Sequence, residues 1–184
     1  MRILEDARYS WIEKSRAYRV HILKSSISSK GIGQIMSNVP APVLNADELN
    51  AYIKEIYPQI LDQYPGHHVV EVSPGKVVVR MDTDERHIRA GGTVSGPTLF
   101  SLADMGGYAC VLSHVGREAL AVTTNLNINF MRKAEPGSLF AHCNILKLGK
   151  RLMVFDCTIT AGSSDDIIAH ATGTYAIPPS KIGS

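Results

Sequence analysis

Residues 96–114 read GPTLFSLADMGGYACVLSH, and this stretch decides the fold. It is apolar almost all round, and its length suits a helix rather than a strand. Pro97 fits the first helical position, Ser95 or Gly96 can cap the start, and Gly116 can end it. A helix that is hydrophobic all round must be buried. Asp104, inside Leu102-Ala103-Asp104-Met105-Gly106, is the exception within it. An unpaired buried carboxylate costs on the order of several kcal/mol, so its presence needs a reason. One reason is a carboxylate aimed into a cleft as general base or nucleophile. The other is a buried Asp satisfied by a neighbouring amide or basic group. The segment just upstream, Gly91-Gly92-Thr93-Val94-Ser95-Gly96, is glycine-rich and feeds straight into the helix. The first backbone amides of a helix have no intrahelical partner and carry partial positive charge, which can polarise a carbonyl and stabilise an oxyanion.

Outward from the helix the texture changes to strands. Upstream, residues 67–73 and 76–82 flank Pro74-Gly75 and read as a hairpin. Downstream, residues 119–130 alternate, with Leu120, Val122, Thr124, Leu126, Ile128 and Phe130 on one face. Thr123, Asn125, Asn127 and Asn129 take the other face. Pro136-Gly137 and Gly149-Lys150 turn the chain into strands over 138–148 and 151–161, and a last strand covers 166–177. Two strands, one buried helix and four strands joined by short turns predict an α+β domain, an antiparallel sheet wrapped around a central helix.

Further upstream, Leu49, Tyr52, Ile53, Ile56 and Ile60 form an apolar stripe over 46–61, with Asn45 as its cap and Pro58 interrupting the last turn. Spacing of Tyr9, Trp11, Ile12, Tyr18, Ile22 and Leu23 predicts a helix near 6–25, followed by a linker over Ser25–Lys30. The division drawn from the sequence is an N-terminal helical extension, 1–44, and a main domain, 45–184.

The run GGTVSGPTLFSLAD, residues 91–104, resembles the signature "G-x-x-H-G-G-x-L-x-x-L-x-D" of hotdog-fold acyl-CoA thioesterases. The likeness is to the PaaI-type, phenylacetate-degradation group, related to the 4-hydroxybenzoyl-CoA thioesterases. The stretches AVTTNLNINFMR (121–132), LKLGKRL (146–152) and HATGT (170–174) resemble its later strands. The resemblance spans roughly 65–178 and implies a hotdog fold and hydrolysis of a small or medium acyl-CoA. Asp104 then matches the family's helical carboxylate, and Gly96 the glycine whose amide polarises the thioester carbonyl. Thr123 matches a Ser/Thr position that holds the attacking water. Ser95 stands where the signature has histidine, and Pro97, which lacks an N–H, where it has its second glycine. Ser95 can donate a hydrogen bond but does not replace imidazole as an acid or base. Near Arg89 many members carry an asparagine. Two rivals follow from these departures: a non-catalytic acyl-CoA binding or sensing protein, and an acyl-CoA hydratase or dehydratase.

Coenzyme A is here part of the substrate, and no cofactor is implied. Its phosphates call for cations or helix ends. The candidates are Arg132, Lys133, Lys150 and Arg151, the resemblance implying that such rim residues come from two subunits. Arg89 is a candidate partner for Asp104 or for an acyl carboxylate. Net charge is only +2, too small to imply a nucleic-acid partner. No run reaches the ~18 apolar residues of a membrane span, and the N-terminus does not read as a signal peptide. The three cysteines, Cys110, Cys143 and Cys157, form no CxxC and lie in apolar stretches, which suits a reducing, cytoplasmic setting without a disulfide framework or metal. His67, His68 and His87 are expected at exposed loop edges, and His114 near a helix C-terminus, where a cation is favourable. A lone domain of this kind leaves an edge strand bare, so a homodimer or homotetramer is expected.

Overall fold

Asn45 opens the first described helix. Its side chain accepts from Glu48 N at 3.0 Å while Glu48 Oε2 accepts from Asn45 N at 2.9 Å, a reciprocal cap that starts α1, Ala46–Ile56. Proline has no N–H to continue the ladder, so the helix stops at Tyr57 and restarts as the short α2, Pro58–Gln63. The structure is a computed structural model that describes residues 39–63, 66–162 and 166–179. The predicted helix near 6–25 and the linker after it lie outside the described residues.

The strands are β1 (His68–Ser73), β2 (Lys76–Asp82), β3 (Val122–Phe130), β4 (Ser138–Leu148), β5 (Leu152–Ala161) and β6 (Ile167–Ala176). They form one antiparallel sheet in the order β1-β2-β4-β5-β6-β3. The long helix α3, Gly96–Val115, packs across one face of this sheet. This is the predicted hotdog architecture of the α+β class. The alternation of β4 and β5 has the period expected of a half-buried sheet: Leu139, Ala141, Cys143 and Ile145 point inward, as do Met153, Phe155, Cys157 and Ile159. All three cysteines are buried, and among the described residues none is joined in a disulfide.

Helix α3 begins as its sequence predicts, with Ser95 as cap and a proline in the first turn, and ends on Gly116 at φ 103°. Burial all round is the part of the expectation that fails. Pro97, Phe100, Ser101, Asp104 and Tyr108 are exposed or half-buried, and their three- and four-residue spacing puts them on one open stripe. The sheet and helix are two layers, so among the described residues this side of the helix is covered only in part, by the α1–α2 segment.

The two sheet edges are treated differently. At β1, Asn50 of α1 behaves like a neighbouring strand: its Nδ2 donates to Val69 O at 2.8 Å and its Oδ1 accepts from Val69 N at 2.9 Å. Beside that contact the strand bulges between Val69 and Glu71. At the other edge, β3 is exposed or half-buried along its whole length.

Candidate active site

The site grows from a defect in β3. Its pairing with β6 runs Thr123 opposite Tyr175 and then Asn125 opposite Thr174, so Thr124 is an extra residue. The bulge reverses the side-chain parity. Thr123, predicted to share a face with the asparagines, instead points to α3, as do Leu126 and Ile128, which pack on the core. The alternation read from the sequence has no term for a bulge and therefore put Thr123 on the wrong side.

Thr123 Oγ1 donates to Asp104 Oδ1 at 2.7 Å. Tyr175 OH reaches the same oxygen at 2.7 Å and the Asp104 backbone oxygen at 2.8 Å. Burial, followed by the neighbouring Asp104 charge, pushes the Tyr175 phenol well above its ordinary value, so it stays a donor. Among the described residues, Oδ2 of Asp104 makes no hydrogen bond. Asp104 is half-buried and lines a cleft of about 560 Å³ whose walls are mixed: Ile56, Ile60, Met105 and Val122 are apolar, while Ser101, Thr123 and Tyr175 are polar. Tyr108, on the same wall, donates to Ala119 O at 3.1 Å, and its phenol is pushed up to about 12, first by burial.

At the other end of α3, Gly91 and Gly92 have φ of 101° and 78°, and the turn they make is closed by Arg89 N donating to Thr93 O. The hydroxyl of Ser95 lies 2.8 Å from that of Thr98 and accepts weakly from Thr98 N, so it serves the helix start. Among the described residues the N–H of Gly96 makes no hydrogen bond, as expected of a first-turn amide. Phe130, at the far end of β3, packs beside Gly96.

Of the predicted cations, only Arg89 is expected at Asp104; Arg132, Lys133, Lys150 and Arg151 are expected at the nucleotide phosphates. Arg89 Nε donates to Thr93 Oγ1 at 3.0 Å, not to Asp104, because the turn it sits in folds back on itself. Arg132 pairs with Asp166 at 3.3 Å. Arg132 and Lys133 are exposed and flank the helix start, since Val94 N donates to Ala134 O at 2.9 Å. Lys150 lines a separate cleft of about 510 Å³ with Arg117, and Arg151 is exposed beyond it. Two histidines expected at the surface, His67 and His87, are buried, whereas His68 is exposed. His114 is buried too, and its Nε2 accepts from Gly75 N at 2.9 Å, the contact of a neutral ring rather than a cation.

Tyr175 escaped the sequence reading. Its only signal there was the inward parity of a tyrosine on the last strand, a position whose hydroxyl needs a partner when buried.

The model of the thioesterase superfamily matches residues 91–168. Acyl-coenzyme A thioesterase 13 of Homo sapiens is 30% identical over 107 residues, which cover 58% of this chain and 76% of that protein. A solved structure from Silicibacter sp. TM1040, provisionally named a thioesterase, is 43% identical with a TM-score of 0.70, covering 77% of this chain and 97% of that one. The E. coli PaaI protein from the phenylacetic acid degradation operon superposes with a TM-score of 0.61 over 70% of this chain and 91% of that one; at 23% identity it speaks for the fold alone.

Proposed function

The chain belongs to the thioesterase superfamily, and from that premise we propose that it hydrolyses the thioester of a small or medium acyl-CoA. One observation carries the reading: Asp104 is gripped through Oδ1 by two hydroxyl donors, while Oδ2 is left to the cleft. In the proposed reaction a water donates one proton to Asp104 Oδ2 and is oriented by the Thr123 hydroxyl. Its oxygen attacks the thioester carbonyl as Asp104 takes the proton. The C–S bond then breaks, the electron pair leaves with sulfur, and the proton passes from Asp104 to the coenzyme A thiolate.

The carbonyl oxygen needs donors of its own, and the free N–H of Gly96 at a helix N-terminus is suited to it. Gly96 and Asp104 are eight residues apart on α3, which at the helical rise is about 12 Å. One thioester therefore does not reach both in a single chain. A second copy resolves this. Thr123, at the start of β3, lies at Asp104; Phe130, at its end, lies at Gly96. Two bare β3 edges pairing antiparallel about a two-fold axis set the start of one against the end of the other. That brings Asp104 of one protomer towards the Gly96 amide of its mate. It also covers Val122 and Phe130, which are 56% and 54% exposed. The active form is thus a homodimer or an assembly of dimers, with Arg132 and Lys133 beside the Gly96 end for the nucleotide phosphates.

The test is thiol release from short, medium, long and aromatic acyl-CoAs, with Asp104→Asn alongside. Release by the wild type that the variant loses supports the proposal and names the acyl class. Undiminished release by Asp104→Asn, or tight coenzyme A binding without turnover, overturns it.

A further inference from the structure

We infer that Tyr175 is a positioning residue for the reaction, one that sets the orientation of Asp104 from beneath the helix. This rests on the thioesterase reading and adds to it a residue from the far strand of the chain. Tyr175 borders the same cleft as Asp104 but is only 2% exposed, so nearly all of its surface is packed against the protein and little is left to meet a substrate. Its hydroxyl lies 2.8 Å from the backbone oxygen of Asp104 and 2.7 Å from the side-chain Oδ1. Holding both ends of the same residue fixes the side chain relative to its own backbone, which a bond to Oδ1 alone does not.

The hydroxyl is only as well placed as its ring, and the surrounding packing is built around that ring. Phe155 and Tyr108 stand against it with centroids 6.0 and 6.1 Å away. Gly107 on α3 leaves the necessary space: a Cβ there would come within 2.4 Å of the Phe155 ring and 2.9 Å of Tyr175. Gly173, two residues before Tyr175, does the same from the strand, where a Cβ would meet Phe155 at 2.4 Å. Helix and sheet thus approach closely at the one level where the tyrosine passes between them. Thr123 reaches the same oxygen from β3, so Oδ1 is fixed from two strands and Oδ2 is presented to the cleft.

Tyr175→Phe keeps the ring and removes the donor. Steady-state thiol release is measured with the best acyl-CoA for wild type, Tyr175→Phe, Asp104→Asn and the double variant, with thermal melts to establish folding. The expected result is a kcat lowered about ten- to a hundredfold with KM changed less than about twofold, since the lost interaction orients a reacting group and does not touch substrate. In the Asp104→Asn background the same substitution has no further effect on the residual rate. If Tyr175→Phe does not fold, Tyr175→Leu and Tyr175→Met, each in both backgrounds, take its place and are read the same way. A kcat within twofold of wild type, or an equal loss in both backgrounds, overturns the inference while the thioesterase reading stands. Full activity of Asp104→Asn instead overturns the reading beneath it.

Discussion

Thr123 Oγ1 and Asp104 Oδ1 lie 2.7 Å apart, and a single extra residue, Thr124, makes that contact. Without the bulge, Thr123 would project from the opposite face of β3. The hydrogen bond thus depends on strand register as much as on residue type. Thr123→Ser keeps the hydroxyl and is expected to retain most of the thioesterase rate. Thr123→Val keeps the shape without the donor and is expected to lower kcat by at least about tenfold, a typical cost of mispositioning a reacting group. Steady-state assays of the pair check this.

The role of Gly96 is open to a clean test because the helix start tolerates proline. Ser95 already has extended backbone, with φ −76° and ψ 151°, as a residue before proline requires. Gly96→Pro removes the N–H and should cost about a hundredfold or more in kcat, the scale of losing one oxyanion donor. Mixing Gly96→Pro with Asp104→Asn and allowing protomers to exchange should restore about a quarter of wild-type activity, because random pairing leaves that share of shared sites intact. No recovery would mean that each site lies within one chain.

Two residues on the helix are glycine for want of room. A Cβ on Gly107 would press on the Phe155 ring, and one on Gly106 would come 2.3 Å from Cys143 Sγ. Gly107→Ala is expected to lower stability by about 1–3 kcal/mol through overpacking, read from the urea midpoint. Gly91→Ala meets no neighbour but must adopt the positive φ of its turn, so its cost is local backbone strain.

Burial, with His87 nearby, holds the His67 ring down at about 4 against an ordinary 6.5. The folded state therefore resists the proton that the unfolded state accepts. The stability contributed by the neutral ring is complete above about pH 6.5 and is lost as pH falls towards 4, a loss of roughly 3 kcal/mol at most. His114, also lowered by burial, acts in the same direction. Urea midpoints measured between pH 7.5 and 4.5 should fall with pH, and His67→Gln should flatten the slope. A midpoint unchanged over this range would contradict the assignment.

Asn50 replaces a missing strand at the β1 edge, and its loss strands two backbone groups of Val69. Asn50→Leu should cost about 1–3 kcal/mol with little effect on kcat, since β1 lies at the far edge of the sheet from β3. Equilibrium unfolding beside the steady-state assay separates the two effects.

What the sequence alone determined was set by neighbours a few residues apart. The caps at Asn45 and Ser95, the break at Pro58, the stop at Gly116, the hairpin at Pro74-Gly75 and the strand alternation all follow from local backbone preferences and periodicity. The all-apolar helix with one carboxylate pointed to Asp104 for the same reason. The tertiary structure alone decided what faces that carboxylate. Tyr175 is 71 positions away from Asp104, and no local pattern announces the contact. The bulge at Thr124 arises from how β3 pairs with β6, so it left no mark on the alternation of β3 itself. His67 and His87 are polar by type and buried by packing, and Arg89 spends its side chain on its own turn. Local sequence sets which elements form and where they end; which side chains meet is set by register and layer packing, where contacts far apart in the chain compete for the same space.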